Sequence, residues 1–538
     1  MKRLLSAVFL STLLLTACLP SPPVPPPSSP ESLRINAASE VRLLEDAGVF
    51  RDFQAWYQTR TREEGKEKHV TLDIEYLGSV EIKLKVQAYT GQNPGDVDVF
   101  WAASPIWLPG SLVRDKTSVM RTYIVFAVDP GLATQLGWSR ETGIATSDII
   151  AAINAGKINL AMPSASQDDA GANFFLALYS ATNGNTENLR TIMSAVSRTA
   201  SNAADLKEAF VQDRLSGSGK YNAIVLPESM LIATNLELAS KGASPLTVFY
   251  VKDAVGVQNY QLGWTTGIDE EKQARFKKLV EYLTSDTVKA KLQSLGFRTG
   301  RVGMRVENPD PAIFNPAWGI DTQTEFTLAD LPKDAIINQA LDAYQTSLRN
   351  PSYTVYCLDY SGSMDGQRIA DLKTAMGLLL DPEMSARYLL QASSGDTTYV
   401  IPFAGQNLAE YAVDGNDPAN LLGLNDTINR QGIASSTNIY GCAMRAIEVV
   451  ETNIKPGQLP AVILLTDGEH NANDTSFTTL SDVYTSRHSA VPIFTILFGA
   501  ANEREMQQIA DYTGGTVCDG RGGQENLVRC FRLFKGNN

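Results

Sequence analysis

A chain of 538 residues is too long for a single domain and predicts two or three. Hydrophobic content of 43% and charged content of 20% are those of ordinary globular protein. The formal net charge of -13 argues against nucleic acid as a partner, because phosphate binding needs a basic face.

The chain begins Met1-Lys-Arg, continues through an apolar run from Leu4 to Leu15 and reaches Thr16-Ala17-Cys18. A basic start, a short apolar stretch and small residues make an export signal, too short to span a membrane. Leu15-Thr16-Ala17-Cys18 resembles a bacterial lipobox. The resemblance implies removal of residues 1–17, acylation of Cys18, and an extracytoplasmic protein of the bacterial cell envelope held to a membrane by its lipid anchor alone. Residues 18–32 are the anchor and a Pro-rich linker. Polyproline at ~3.1 Å per residue would lift the folded part roughly 30–40 Å from the bilayer. Cys357, Cys442, Cys518 and Cys530 remain, an even number in an oxidising compartment. Four cysteines allow three pairings. Cys518 with Cys530 and Cys357 with Cys442 are favoured, four buried free thiols being the alternative. With no C-x-x-C pair, a zinc knuckle is unsupported.

From Leu33 the pattern alternates strands and helices. Leu33 to Ala38 reads as a strand ending at Ser39-Glu40. His69 to Leu77 reads as a second, ending at Gly78-Ser79, and Gly95 to Ala103 as a third, ending at Ser104-Pro105. Three strands that each deliver a serine at the carboxyl end predict a small-solute pocket, where hydroxyls and helix N–H groups would bind. Further strand-like runs are Arg121 to Val128, Ile158 to Pro163, Asn222 to Pro227 and Leu246 to Val251, with Asp168-Asp169-Ala170-Gly171 opening a helix. These stretches, with the helix from Ala274 and Leu295-Gly-Phe-Arg298, resemble the type 2 periplasmic solute-binding fold over residues 33–347. The resemblance implies two α/β lobes about a hinge, closing on a small solute, with Ser39, Ser79 and Ser104 as cleft ligands. Glu40, Asp168 and Asp169 depart from an oxyanion pattern, since carboxylates there would repel an anion. The expectation is then a neutral or cationic solute or a cleft that has become a scaffold, and a cap or turn role is the alternative for each serine.

Pro-punctuated connectors between Arg301 and Asn350 separate this part from a second domain, residues 348–538. Tyr353-Thr-Val-Tyr-Cys-Leu-Asp359 reads as a buried parallel strand, followed at once by Tyr360-Ser361-Gly-Ser363. In open α/β sheets ligands bind outside the carboxyl ends of the strands. The D-x-S-x-S order puts three hard oxygen donors on one loop, a set suited to Mg²⁺ or Mn²⁺ rather than zinc. Ser435-Ser-Thr437 precedes a later amphipathic helix, and Pro460 to Thr466 is a second buried strand ending in Asp467-Gly-Glu. Together Asp359, Ser361, Ser363, Thr437 and Asp467 resemble the metal-ion-dependent adhesion site of von Willebrand factor A domains, a Rossmann-like doubly wound α/β fold. The resemblance implies that the three hydroxyls ligate the metal. The two carboxylates would act largely through bound waters, with one position open for a carboxylate from a protein partner. An ordinary polar loop, with Asp359 and Ser361 as helix caps, is the alternative.

No Gly-x-Ser-x-Gly elbow is present. Ser216-Gly-Ser-Gly-Lys220 lacks the Ser or Thr that a phosphate loop needs after its lysine. No nucleophile–base pair is visible, so the sequence predicts a non-enzymatic, membrane-tethered binding protein. The alternative is the solute receptor of an ABC-type transporter, with the second domain as a docking module.

Overall fold

The computed structural model describes residues 31–89, 97–108, 111–300, 304–330 and 332–535. Cys18, the export signal and most of the Pro-rich linker lie outside them. Among the described residues no helix is long and apolar enough to cross a membrane.

The first domain is built on one mixed sheet with helices on both faces. Its strands are β1 (Ser32–Ala38), β2 (Thr71–Leu77), β3 (Val99–Ala102), β4 (Val113–Val128), β5 (Leu160–Pro163), β6 (Val196–Ala200), β7 (Ala223–Pro227), β8 (Thr247–Phe249) and β9 (Gly256–Thr265). The spatial order is β2-β1-β3-β9-β4-β7-β5-β6, with β8 added beside β4. Two strands carry the chain between the halves. β9 lies between β3 and β4, while the last residues of β4 pair with β7 and β8. Register shifts in the β4–β9 ladder fall between Arg114 and Thr117 and between Ser118 and Met120, where the strand bends out of one half into the other. The first part of β4, Val113-Arg-Asp-Lys-Thr-Ser, is polar and carries no apolar signal; only its second part, from Arg121, reads as a strand in sequence.

A buried ion pair closes this domain. Arg298 donates through Nε to Glu228 Oε2 and through Nη2 to Glu228 Oε1, both at 2.7 Å, and both side chains are fully buried. The same guanidinium bonds the backbone carbonyl of Asp321 at 2.7 Å and that of Met304, so it pins the connector to the sheet. Tyr344 and Leu348 still pack in the core of the first domain, whereas Tyr353 belongs to that of the second.

The second domain has strands β10 (Ser352–Asp359), β11 (Thr397–Phe403), β12 (Tyr411–Asp414), β13 (Leu459–Thr466), β14 (Ile493–Leu497) and β15 (Val517–Asp519) in the order β12-β11-β10-β13-β14-β15. All pairings are parallel except β11–β12. Every residue of β10 is buried. Tyr356 and Leu358 face the layer of helices Gln367–Leu380, Pro418–Arg430 and Gln524–Lys535, and Tyr353, Val355 and Cys357 face the layer of Ile439–Asn453, Phe477–Ser486 and Glu503–Thr513. That two-sided burial explains the unbroken aromatic and β-branched run. The strand order reverses between β10 and β13, so a crevice opens at their carboxyl ends. Disulfides join Cys357 to Cys442 and Cys518 to Cys530.

Candidate functional site

The crevice gathers the five residues that the sequence singled out in the second domain. Asp359 is the last residue of β10 and is fully buried. Its Oδ1 accepts from the Ser361 N–H at 2.7 Å and its Oδ2 from the Thr466 hydroxyl at 2.6 Å. Ser361 Oγ and Ser363 Oγ are 3.0 Å apart, and the Ser363 hydroxyl donates to Asp467 Oδ1 at 2.6 Å. A Cβ on Gly468 would lie 3.4 Å from Ser363 Oγ and 3.9 Å from Thr437 Oγ1, which sets Thr437 on the same rim. The two carboxylates and three hydroxyls therefore come together from three loops.

The loop carrying Thr437 is held from two sides. The Asn471 carboxamide accepts from the Thr437 N–H at 2.7 Å, and the Asn471 N–H returns a bond to the Thr437 carbonyl at 3.0 Å. Gly405 donates to the Ser435 carbonyl at 2.9 Å, and a Cβ there would stand 3.0 Å from Ser436 Cβ. Ser436 itself has φ 63, a left-handed conformation that strains a non-glycine residue. Asn471, Thr466 and Gly405 are structural supports of the cluster that no local motif announces, although Thr466 directly precedes Asp467.

Arg368, in the first turn of helix Gln367–Leu380, changes the electrostatics of the cluster. Its Nη1 donates to Asp467 Oδ2 at 2.6 Å and to the Ser363 carbonyl at 3.0 Å. Gly499, with φ +51, makes room for it, since a Cβ there would meet Arg368 Nε at 3.0 Å. Asp467 is fully buried while Arg368 is 43% exposed. Burial lifts the Asp359 carboxyl above its ordinary range; bonds from Thr466 and Ser361 oppose that, and the Asp467 charge adds to it.

The donor set fits a hard divalent cation. Among the described residues no group of three or more His, Cys, Asp or Glu side chains could hold a metal, so a cation here would rely on hydroxyl and water oxygens beside the two carboxylates. Ser361, Ser363 and Thr437 would hold Mg²⁺ or Mn²⁺, with Asp359 and Asp467 beside them. His470 stands near this face: its Nε2 lies 3.0 Å from the Thr475 carbonyl and its ring 4.7 Å from that of Tyr440.

In the first domain one of the three predicted cleft serines, Ser39, contacts a carboxylate. Ser39 donates to Glu40 Oε2 at 3.1 Å, and Ser79 and Ser104 are buried. The turn after Ser104 delivers Trp107, whose indole N–H donates to Asp169 Oδ1. Asp168 Oδ1 caps helix Asp169–Ala181 by accepting from Ala170 and Gly171, and its Oδ2 accepts from Ala203 at 3.1 Å. Gln258 Nε2 is 3.5 Å from Glu40 Oε1 and its carbonyl accepts from the Tyr260 hydroxyl at 2.9 Å. Glu40, Asp168 and Asp169 are all buried, and Asp169 Oδ2 has no partner. Burial raises all three carboxyls, Asp169 to about 7, and the Glu40 charge adds to the rise at Asp168 and Asp169.

Comparison with known proteins adds the family context. A model of the family "Bacterial extracellular solute-binding protein" matches residues 47–298, a little under half of the chain. Inter-alpha-trypsin inhibitor heavy chain H1 from Mesocricetus auratus is 28% identical over 155 residues, 27% of this chain and 16% of that protein. The chain therefore spans about a sixth of the length of that curated relative. Among solved structures, the periplasmic binding protein AfuA from Actinobacillus pleuropneumoniae, with fructose-6-phosphate bound, gives a TM-score of 0.41 at 11% identity, covering 58% of this chain and 98% of that one. The von Willebrand factor type A structure from Catenulispora acidiphila gives 0.29 at 18% identity, covering 36% and 43%. Periplasmic binding protein P5PA gives 0.40 at 12% identity, covering 58% and 98%. Two α/β domains follow one another along the chain, and the match to the solute-binding family lies within the first.

Proposed function

We propose that this chain is an extracytoplasmic binding protein whose second domain takes Mg²⁺ or Mn²⁺ at Ser361, Ser363 and Thr437 and there receives a carboxylate from a protein ligand. The observation that carries the reading is the convergence of three hydroxyls and two carboxylates at the point where the strand order reverses. Two carboxylates only balance a divalent cation in formal charge, and Arg368 already offsets that of Asp467, so the bound ion would attract an acidic side chain. The lipid anchor at Cys18 remains part of the proposal and would hold the protein to the cell envelope.

The test is thermal unfolding of the chain from Leu33 to Asn538 with Mg²⁺, with Mn²⁺ and with chelator. Wild type should be stabilised by either ion, and Ser361→Ala/Ser363→Ala should lose that response. A shift that survives the double substitution would refute the ligand assignment.

A second reading concerns the first domain. Its match to the solute-binding family supports a small solute between the two halves, and the buried Glu40, Asp168 and Asp169 favour a cationic or neutral one. Transport is the alternative role, with the protein as receptor for a permease. Native mass spectrometry of the protein purified from its host, without denaturation, would reveal a retained solute; a clean unliganded mass would count against it.

A further inference from the structure

The second domain sits over the seam at which the two halves of the first domain touch. The seam is tight: a Cβ on Gly78, in the first half, would lie 4.0 Å from the Gln167 carbonyl in the second. Ser79, Ser104, Glu40, Asp168 and Asp169 are all buried around it, so a solute can reach them only when the halves part.

The second half carries the firmer attachment. Gln167 Nε2 donates to the Tyr388 and Leu389 carbonyls, both at 3.1 Å. Ser166 Oγ donates to Gln345 Oε1 at 2.9 Å, and Gln345 Nε2 donates in turn to the Gln391 carbonyl at 2.9 Å. On the same half, Arg198 of β6 donates to the Gly514 carbonyl at 3.4 Å, and its guanidinium lies over the Phe494 ring, 5.2 Å from the centroid. Leu389 has φ 52, a strained conformation for a residue other than glycine, and the bond from Gln167 to its carbonyl helps to hold it there.

The first half is attached through Arg532, on helix Gln524–Lys535 of the second domain. Its guanidinium lies over the Tyr388 ring, 4.7 Å from the centroid, and its Nη1 stands 3.6 Å from Glu81 Oε1. Glu81 is in the first turn of helix Ser79–Ala88, which begins at one of the cleft serines. The two side chains are 10% and 20% exposed, so solvent screens the pair little. The pair is nevertheless loose. Its separation exceeds that of a charge-assisted hydrogen bond, and Arg532 Nε is buried without a partner. Tyr388 joins the two attachments, since its carbonyl meets Gln167 and its ring carries Arg532.

A hinge cannot open while one rigid body grips both of its halves, and the weaker grip gives first. We propose that the second domain clamps the cleft: anchored on the second half, it holds the first half closed through Arg532 on Glu81, and the cleft opens when that ion pair breaks. Opening of the cleft and seating of the second domain are then one equilibrium, and each biases the other. The clamp acts whether or not a cation binds at Ser361, Ser363 and Thr437.

The test reads opening as exposure of position 104. In the chain from Leu33 to Asn538 the four cysteines are paired, so Ser104→Cys supplies the one thiol for a maleimide. Glu81→Gln and Arg532→Met should each raise its labelling rate about fivefold, and the two together should raise it no further. Thr234→Cys, fully buried in helix Glu228–Ser240, reports unfolding of the second half, and its labelling should not change with either substitution. Glu81→Gln decides the matter alone if Arg532→Met does not fold. A Ser104→Cys rate that neither substitution changes, or a rise matched at Thr234→Cys, would overturn the clamp.

Discussion

Arg368 sets the resting charge of the metal cluster. With its guanidinium on Asp467, one of the two carboxylates is neutralised before any ion arrives. A divalent cation entering beside it meets a like charge a few ångströms away. Partial exposure screens that repulsion, so its size is moderate. Arg368→Gln should therefore tighten Mg²⁺ binding by about tenfold, roughly 1.4 kcal/mol, as read by calorimetric titration. Equal affinity in the two proteins would show that Arg368 moves aside without cost. Asp169 offers a residue-scale test in the other domain. Its carboxyl is raised from the ordinary aspartate range to about 7, so the folded state holds a proton that the unfolded state releases. Stability from this group is full at acid pH and is lost as pH rises through about 7, a drop of a few kcal/mol at most. Wild type should melt lower at pH 8 than at pH 5. Asp169→Asn, which keeps an oxygen for Trp107, should flatten that difference.

At the scale of elements, β10 does two jobs. It delivers Asp359 to the crevice and is tied through Cys357 to Cys442 on helix Ile439–Asn453, the helix that follows Thr437. The bridge therefore joins two of the three loops of the metal cluster. It closes a separation of 85 residues, against 12 for Cys518–Cys530. Loop-closure entropy gives upper values of about 4.6 and 2.8 kcal/mol for loops of those lengths. Replacing both Cys357 and Cys442 by Ala should thus lower the urea midpoint more than replacing Cys518 and Cys530. It should also weaken Mg²⁺ stabilisation, which loss of the second bridge should leave intact. The reverse order would mean that the unfolded chain already holds β10 near that helix.

At the scale of the whole molecule, a buried pair holds the connector against the second domain. Arg349 donates to both oxygens of Asp396, at 3.0 and 2.5 Å, and Asp396 also accepts from the Ser352 N–H at 2.7 Å and the Ser393 N–H at 2.8 Å. Across the same boundary Gln167 Nε2 donates to the carbonyls of Tyr388 and Leu389, both at 3.1 Å. Burial alone would raise the Asp396 carboxyl, but the Arg349 charge and its bonds outweigh it and bring the group down to about 2. A depressed value means the contribution is present above the ordinary aspartate range and is lost as pH falls toward about 2, amounting to about 2 kcal/mol. The molecule thus has opposite pH responses in two places. Acid should loosen the junction while the acidic cluster of the first domain tightens, and limited proteolysis between Tyr344 and Ser352 should accelerate below pH 4 before the first domain melts. Simultaneous cleavage and melting would show that the two domains unfold as one unit.

What could be read from the residues alone was local. The run from Tyr353 to Asp359, the D-x-S-x-S loop and the strand ending at Asp467 each combine a buried strand with the polar residue that terminates it, and strand ends are where a doubly wound sheet presents its ligands. Hydrophobic run length and residue order encode that arrangement without any distant contact. The serines at 39, 79 and 104 were legible as strand-end residues by the same logic. Their surroundings were not, because Glu40 meets Asp168 and Asp169 only when the chain folds back across more than a hundred residues. The early part of β4 carries no strand signal in sequence, because its polar residues form a strand through pairing with β9, not through propensity. Arg368 on Asp467, Asn471 on Thr437 and Arg198 beneath the second domain are likewise decided by which loops and faces the topology brings together. Propensity and periodicity act over a few residues. Charge pairing, support of a ligand loop and contacts between domains depend on tertiary geometry.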